Sequence, residues 1–277
     1  MRFGCHISIR KGYFGAVQTA FKIGAKAFQY FPKNPRSLKI KHHDRIDAKQ
    51  CAEFCKKHHI VSIAHAPYPA NISVPKPELR EPIIKSILND LQIVEDCGSI
   101  GLVVHFGSYK TGEPLDGYKR MIDILNEVLA QWKGKSLLLI ENTAGKGSEL
   151  GTTLEELVKV RQLTDYPEKI GYCFDTCHAF ASGLWSGYNW QKVMKKGREL
   201  GYFDDLKAIH LNNSMYESGS HRDRHANIPK GKIEVNQMKQ FITSTPIKNL
   251  PMILETPASD QFTHQDEITY LERLIQS

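Results

Sequence analysis

Eight short apolar runs punctuate this chain, and the residues that close six of them constrain its fold and chemistry together. The runs are FGCHI at 3–7, KAFQYF at 26–31, IVSIAH at 60–65, GLVVHF at 101–106, SLLLIEN at 136–142, IGYCFDT at 170–176, LKAIHLN at 206–212 and PMILETP at 251–257. Each is rich in β-branched or aromatic side chains, which predicts strands. Helical patterns separate them, at 16–24, 47–59, 79–97, 118–132, 152–163, 189–200, 235–242 and 267–277. Thr152 and Thr153 ahead of Glu155 and Glu156 predict one helix start. Eight strands alternating with eight helices predict a single α/β domain over 1–277, a closed TIM-type (β/α)8 barrel. A doubly wound open sheet is the alternative. The count of eight and the lack of a break favour the barrel, and no GxGxxG follows a strand to mark a dinucleotide site.

Strands of a parallel barrel are buried on both sides and should be apolar throughout. Here His65 closes IVSIAH, His105 closes GLVVH and Glu141 closes SLLLIE; Asp175 closes IGYCFD, His210 closes LKAIH and Glu255 closes PMILE. His6 lies late in the first strand. In a barrel such ends converge on one rim, where catalytic sites sit. One strand-end histidine alone reads as an inert, hydrogen-bonded residue; six ligand-type residues together do not. Carboxylates crowded into a dry mouth repel one another, and divalent cations remove that repulsion. A mixture of imidazole and carboxylate suits zinc, manganese or iron. His178, three positions after Asp175, belongs to the same mouth. So does DRHANIP at 223–229, whose Asp223 and His225 reach one ion from extended chain. These nine ligands are too many for one zinc; they suit two or three ions with a carboxylate bridging.

Such a cluster favours hydrolysis of phosphate esters, because bound ions activate water, neutralise phosphoryl oxygens and stabilise the leaving alkoxide. The formal charge of +7 favours a polyanionic partner, and a nucleic-acid phosphodiester satisfies both demands. A divalent-metal sugar isomerase or epimerase on the same barrel is the rival reading, with fewer ligands and no need of a basic surface. The cysteines at 5, 51, 55, 97, 173 and 177 are too sparse for a disulfide scaffold. Cys173 shares the parity of Asp175 and should pack deeper in the barrel, and Cys177 reads as a neighbour of the site. No run reaches 18 apolar residues and the opening MRFGCHIS does not resemble a cleavable signal, so a cytoplasmic protein without a membrane span is expected. With no oligomerisation signature, a monomer is expected.

The segments GCHIS at 4–8, KNPRS at 33–37, HAPY at 65–68, HFGS at 105–108, ENTAG at 141–145, FDTCHAFASG at 174–183, HLN at 210–212, DRHANI at 223–228 and ILETP at 253–257 run end to end. In that order they resemble endonuclease IV, the zinc-dependent apurinic/apyrimidinic endonuclease family. The resemblance implies a TIM barrel that cuts double-stranded DNA on the 5′ side of abasic sites, leaving a 3′-hydroxyl and a 5′-deoxyribose phosphate. It also implies cleaning of blocked 3′ ends. It implies three zinc ions per chain, with manganese or iron admitted at some positions. His65, His105 and Glu141 would hold the first; Glu141 would bridge to a second held by Asp175, His210 and Glu255; His178, Asp223 and His225 would hold the third.

Carried over in the same way, Glu141 is the catalytic carboxylate, positioning the ion pair and orienting the attacking hydroxide. Arg36 and Tyr68 match positions that push into the DNA stack near the lesion. Lys33, Asn34 and Gln29 are expected at the DNA backbone, Asn71 and Ser108 at phosphate or in support of their loop, and Arg224 and Lys230 along the phosphate track. The chain departs from the family pattern at Leu38, at Tyr109 and Lys110, at Ala226 and at Pro229–Lys230–Gly231, and keeps all nine ligands.

Overall fold

A computed structural model of the chain describes residues 1–276. Ten strands follow in chain order: β1 (Arg2–His6), β2 (Ala27–Tyr30), β3 (Val61–His65), β4 (Gly101–His105), β5 (Leu137–Glu141), β6 (Ile170–Asp175), β7 (Leu206–His210), β8 (Asn213–Ser214), β9 (His225–Ala226) and β10 (Pro251–Leu254). Nine α-helices lie between and after them: α1 (Gly12–Lys22), α2 (Arg45–His58), α3 (Pro77–Asp96), α4 (Pro114–Gln131), α5 (Leu154–Leu163), α6 (Thr176–Ser182), α7 (Trp190–Glu199), α8 (Val235–Thr243) and α9 (His264–Gln276). All strands except β8 and β9 close into one parallel barrel in the order β1-β10-β7-β6-β5-β4-β3-β2. The eight predicted strands are therefore the barrel strands. Among the described residues no helix is long and apolar enough to cross a membrane.

Alternation along each strand divides the apolar side chains into two layers. Ala27, Ile63, Val103, Leu139, Cys173, Ala208 and Ile253 fill the barrel interior, one from each of seven strands. At the matching level of the eighth, Gly4 pairs with Ala27 and Ile253, and a Cβ there would overlap the Ala27 carbonyl. Residues of opposite parity, such as Phe28, Leu102 and Phe174, pack outward with Ile83, Ile87 and Leu91 of α3 and the rest of the helical shell. Removing each such side chain from water contributes about 1.5–3 kcal/mol.

Helix α5 starts at the threonine pair as expected. Thr153 Oγ1 accepts the Glu156 amide at 3.3 Å and donates to Glu156 Oε1 at 2.9 Å. Three elements were not anticipated. The segment after β6 forms α6, capped by Asp175, whose Oδ1 accepts the His178 amide at 2.6 Å. It stops at Gly183, where φ is 83°. Strands β8 and β9 pair Asn213 with Ala226 and Ser214 with His225. Two residues each are too few to show an alternation in sequence.

Candidate metal centre

Register places the strand-end residues side by side. His105 is the pairing partner of Glu141 across β4 and β5, and Asp175 that of His210 across β6 and β7. Their side chains enter the barrel mouth above the interior layer, so Cys173, the partner of Glu141 on β6, lies among the apolar residues below. Glu141 is the hub. Its Oε2 lies 3.6 Å from His65 Nε2 and 3.7 Å from His105 Nε2; its Oε1 lies 2.7 Å from His210 Nδ1 and 3.4 Å from His178 Nδ1. His210 Nδ1 is 3.4 Å from Glu255 Oε2. The β8–β9 hairpin brings in the remaining pair. Asp223 Oδ1 lies 3.2 Å from His225 Nε2, and its Oδ2 lies 3.4 Å from His178 Nε2. The extended chain at His225 explains how residues two apart face one point.

Three groups of donor atoms, each within 4.8 Å, have the composition of a metal site: His65, His105 and Glu141; Glu141, Asp175 and His210; His178, Asp223 and His225. A fourth joins Asp175 and His225 to Cys177. Burial pushes the Cys177 thiol up to about 12, with Asp175 adding to the effect. Its Sγ donates toward Arg224 O at 3.7 Å, so Cys177 reads as a protonated neighbour of the site.

Outer contacts fix which ring nitrogen three of the histidines present. His65 Nδ1 donates to Ala66 O at 2.7 Å, His178 Nδ1 to Asn142 O at 2.9 Å and His225 Nδ1 to Glu255 O at 3.3 Å. A carbonyl only accepts, so the proton sits on Nδ1 and Nε2 faces the mouth. The carboxylates are held similarly. Asn212 Nδ2 donates to Asp175 Oδ2 at 2.7 Å and to Glu255 Oε2 at 3.2 Å.

Whether divalent ions suit these residues is answered by two orphaned atoms. Glu141 Oε2 and His225 Nε2 are buried without a hydrogen-bond partner, and both belong to the metal-type groups. Leaving such acceptors unpaired costs about 1–3 kcal/mol each. A cation satisfies both, and the nitrogen–oxygen donor set matches zinc, manganese or iron.

Electrostatics reports the same crowding. Burial alone would raise Glu141, but His210, His178 and His65 outweigh it and hold the carboxyl well below its ordinary range. Burial likewise opposes the shift of Glu255, which His210 and His225 bring down to about 2. Asp175 is raised by burial, which His178 and His225 only partly offset. Burial works against protonation of His225, yet Asp223 and Asp175 push it up to about 9. Burial dominates at His105 and lowers it to about 4.

The expected DNA contacts divide into three sets. Arg36 is exposed and Tyr68 is 66% exposed, and they are tied together by the Tyr68 amide, which donates to Pro35 O at 2.9 Å. Asn34, Arg224 and Lys230 are also exposed. Asn71 supports its loop, accepting the amides of Ser73 and Ser108 at 3.0 and 3.1 Å and donating to Ser108 O at 2.8 Å; Ser108 Oγ meets Ser148 Oγ at 2.7 Å. A cleft of about 740 Å³ runs from His105 past Tyr68, Asn71 and Ser108.

Two of the expected contacts are buried. Lys33 is 4% exposed, and its ammonium is paired with buried Asp90. Gln29 is fully buried beneath the mouth; its Nε2 donates to Glu255 Oε1 at 2.7 Å, and its Oε1 accepts from His210 Nε2 at 2.7 Å. A lone loop lysine and a strand-end glutamine carry no sign of either partner in sequence. Asn212, which reaches two of the carboxylates, was visible only as the last letter of the HLN segment.

Residues 17–274 match the family described as xylose isomerase-like TIM barrel. The chain is 43% identical over 276 residues to the probable endonuclease 4 of Symbiobacterium thermophilum, covering 100% of each. It superposes on the crystal structure of endonuclease IV from Thermus thermophilus with a TM-score of 0.86 and 29% identity, covering 100% of this chain and 99% of that one. A D-tagatose 3-epimerase-like protein superposes with a TM-score of 0.72 at 16% identity, covering 100% of this chain and 97% of that one, a likeness of fold alone.

Proposed function

Because the chain belongs to the endonuclease IV family of TIM barrels, we propose that it is a metal-dependent DNA repair endonuclease hydrolysing the phosphodiester bond 5′ to abasic sites. The observation that supports this most strongly is the sharing of Glu141 between two metal-type groups, with Oε2 buried and unpaired on the His65 and His105 side. A single-metal epimerisation site does not call for such a shared carboxylate or for a third group.

His65, His105 and Glu141 would hold one ion, Glu141, Asp175, His210 and Glu255 a second, and His178, Asp223 and His225 a third, with zinc the metal favoured by the donor set. Bound there, such ions lower the pKa of water and offset charge on the phosphoryl group and the leaving 3′ oxygen. The chain supplies the geometry. Glu141 directs Oε2 to one side and Oε1 to the other, so one rigid side chain sets the spacing of two sites and orients the attacking water. Gln29, Asn142 and Asn212 hold their ligands in one orientation, so little reorganisation is left for the reaction. Arg36 and Tyr68 stand on the rim as a wedge for the unstacked lesion, and Arg224 and Lys230 lie along the phosphate track. The products are a 3′-hydroxyl and a 5′-deoxyribose phosphate, and the same site removes blocks from 3′ ends. All nine ligands come from one chain, so a monomer suffices.

The test is incubation with a duplex carrying one tetrahydrofuran abasic analogue, followed by mapping of the ends. Cleavage immediately 5′ of the analogue with a 3′-hydroxyl supports the reading; intact DNA together with turnover of a free ketose overturns it.

A further inference from the structure

The burial of Lys33 has a partner on a distant helix. Its Nζ lies 3.0 Å from Asp90 Oδ1 and donates to Ser86 O at 3.0 Å and to Ser86 Oγ at 2.8 Å. The two charged side chains are 2% and 0% exposed. Ser86 and Asp90 lie on α3, whereas Lys33 opens the loop at 31–44 between β2 and α2. The same helix grips the far end of that loop: Asn89 Oδ1 accepts the Lys41 amide at 2.9 Å and Asn89 Nδ2 donates to Lys41 O at 3.1 Å. Between the two grips, Asn34 Oδ1 accepts the Arg36 amide at 3.0 Å and shapes the turn that exposes Arg36. Pro35 accepts the Tyr68 amide, and the rings of Phe31 and Tyr68 are 5.3 Å apart. Placement of this loop therefore sets Arg36 and Tyr68 together.

Such a pair adds little stability. Two charges leave water, and the cost of that step commonly matches their attraction. Burial raises Asp90 to about 7 against the pull of Lys33, and lowers Lys33 against the pull of Asp90. The close approach also lacks hydrogen-bond alignment at Asp90, whose two oxygens have no well-formed bond. Direction is what the ammonium supplies, since it donates to two oxygens of Ser86 and faces the Asp90 carboxylate on one helix face, whereas an apolar side chain of equal length does neither.

We propose that Lys33 and Asp90 are positioning residues for lesion recognition: their buried pair pins the loop at 31–44 to α3 so that Arg36 and Tyr68 reach the DNA at a fixed spacing. This rests on the endonuclease reading given above. The double variant Lys33→Met/Asp90→Leu removes both charges and leaves neither unpaired. KM for the abasic duplex is expected to rise about tenfold with kcat changed less than about threefold, as the wedge loses its preorganisation. Amide exchange over 31–44 should quicken, while metal content and hydrolysis of bis(4-nitrophenyl) phosphate, which needs no wedge, stay unchanged. Ser86→Ala, which removes one acceptor, should move KM the same way by a smaller factor and covers the case in which the double variant does not fold. An unchanged KM in the folded variant overturns the proposal, and so does a parallel loss of small-substrate hydrolysis. Failure of the unsubstituted protein to cut abasic duplex would instead overturn the function itself, and the exchange measurement would still decide whether the pair fixes the loop.

Discussion

His210 Nε2 donates to Gln29 Oε1 at 2.7 Å, which turns this imidazole around relative to the other histidines of the mouth. His65, His178 and His225 present Nε2; His210 presents Nδ1 to Glu141, Asp175 and Glu255. Gln29 thus occupies Nε2 and leaves Nδ1 as the nitrogen that this buried histidine offers to the mouth. Gln29→Leu should leave the barrel folded and weaken the second metal site by roughly 10–100-fold. Competitive chelator titration of the variant reads this; affinity unchanged within experimental error would show that Gln29 has no such role.

Glu141→Gln tests the shared carboxylate. The amide nearly preserves shape but loses the charge and one lone-pair direction, while the rim residues proposed to meet DNA are untouched. Binding of abasic duplex should persist, and kcat should fall by roughly 10²–10³ or more. Single-turnover cleavage measured beside a binding assay separates the two; normal cutting would remove Glu141 from its bridging role.

Without metal, the cluster ties stability to pH with a definite sign. His225 is raised from 6.5 to about 9, so its contribution is fully present below pH 6.5 and is lost as pH rises through about 9. Glu255 is lowered from 4.5 to about 2, so its contribution is present above pH 4.5 and is lost as pH falls through about 2. The metal-free protein should be most stable between these limits, with Tm falling from pH 6.5 toward 9. Metal binding needs the imidazoles deprotonated, so metal affinity should increase over the same interval. Melting curves of stripped and reloaded protein at a series of pH values check both slopes; a flat alkaline limb in the stripped protein would contradict the first.

Cys173 and Cys177 are both fully buried and surround Asp175 in sequence, which makes them decoys for a thiolate site. Cys173→Ser and Cys177→Ser should each cost roughly 1–3 kcal/mol, from burying a hydroxyl in place of a thiol. Metal content should stay at the parental value. Loss of an ion from the Cys177 variant would place that sulfur among the ligands.

The barrel was legible because each strand is a short apolar run that stops at a residue no dry interior accepts unpaired. The nine clustered side chains were legible for the same reason, since six of them mark strand ends and the other three follow one strand or share one loop. What sequence hid were partners brought from afar. Lys33 looked like a DNA contact because a loop lysine is usually solvated, and Asp90 lies on a helix far along the chain. Gln29 looked generic because its role depends on His210 and Glu255 arriving from strands on the other side of β1. Helix α6 was masked by its own function: Asp175, read as a ligand, also caps that helix through its other oxygen, and two-residue strands such as β8 leave no periodic signal.

The central claim is that three ions in one mouth cut DNA beside an abasic site. Its most direct test is to strip the protein with chelator and return zinc in counted equivalents while following incision of a tetrahydrofuran duplex. Cleavage immediately 5′ of the analogue that reaches its plateau only near the third equivalent is the predicted result. Full activity at one equivalent, or activity undiminished in the stripped protein, would contradict it.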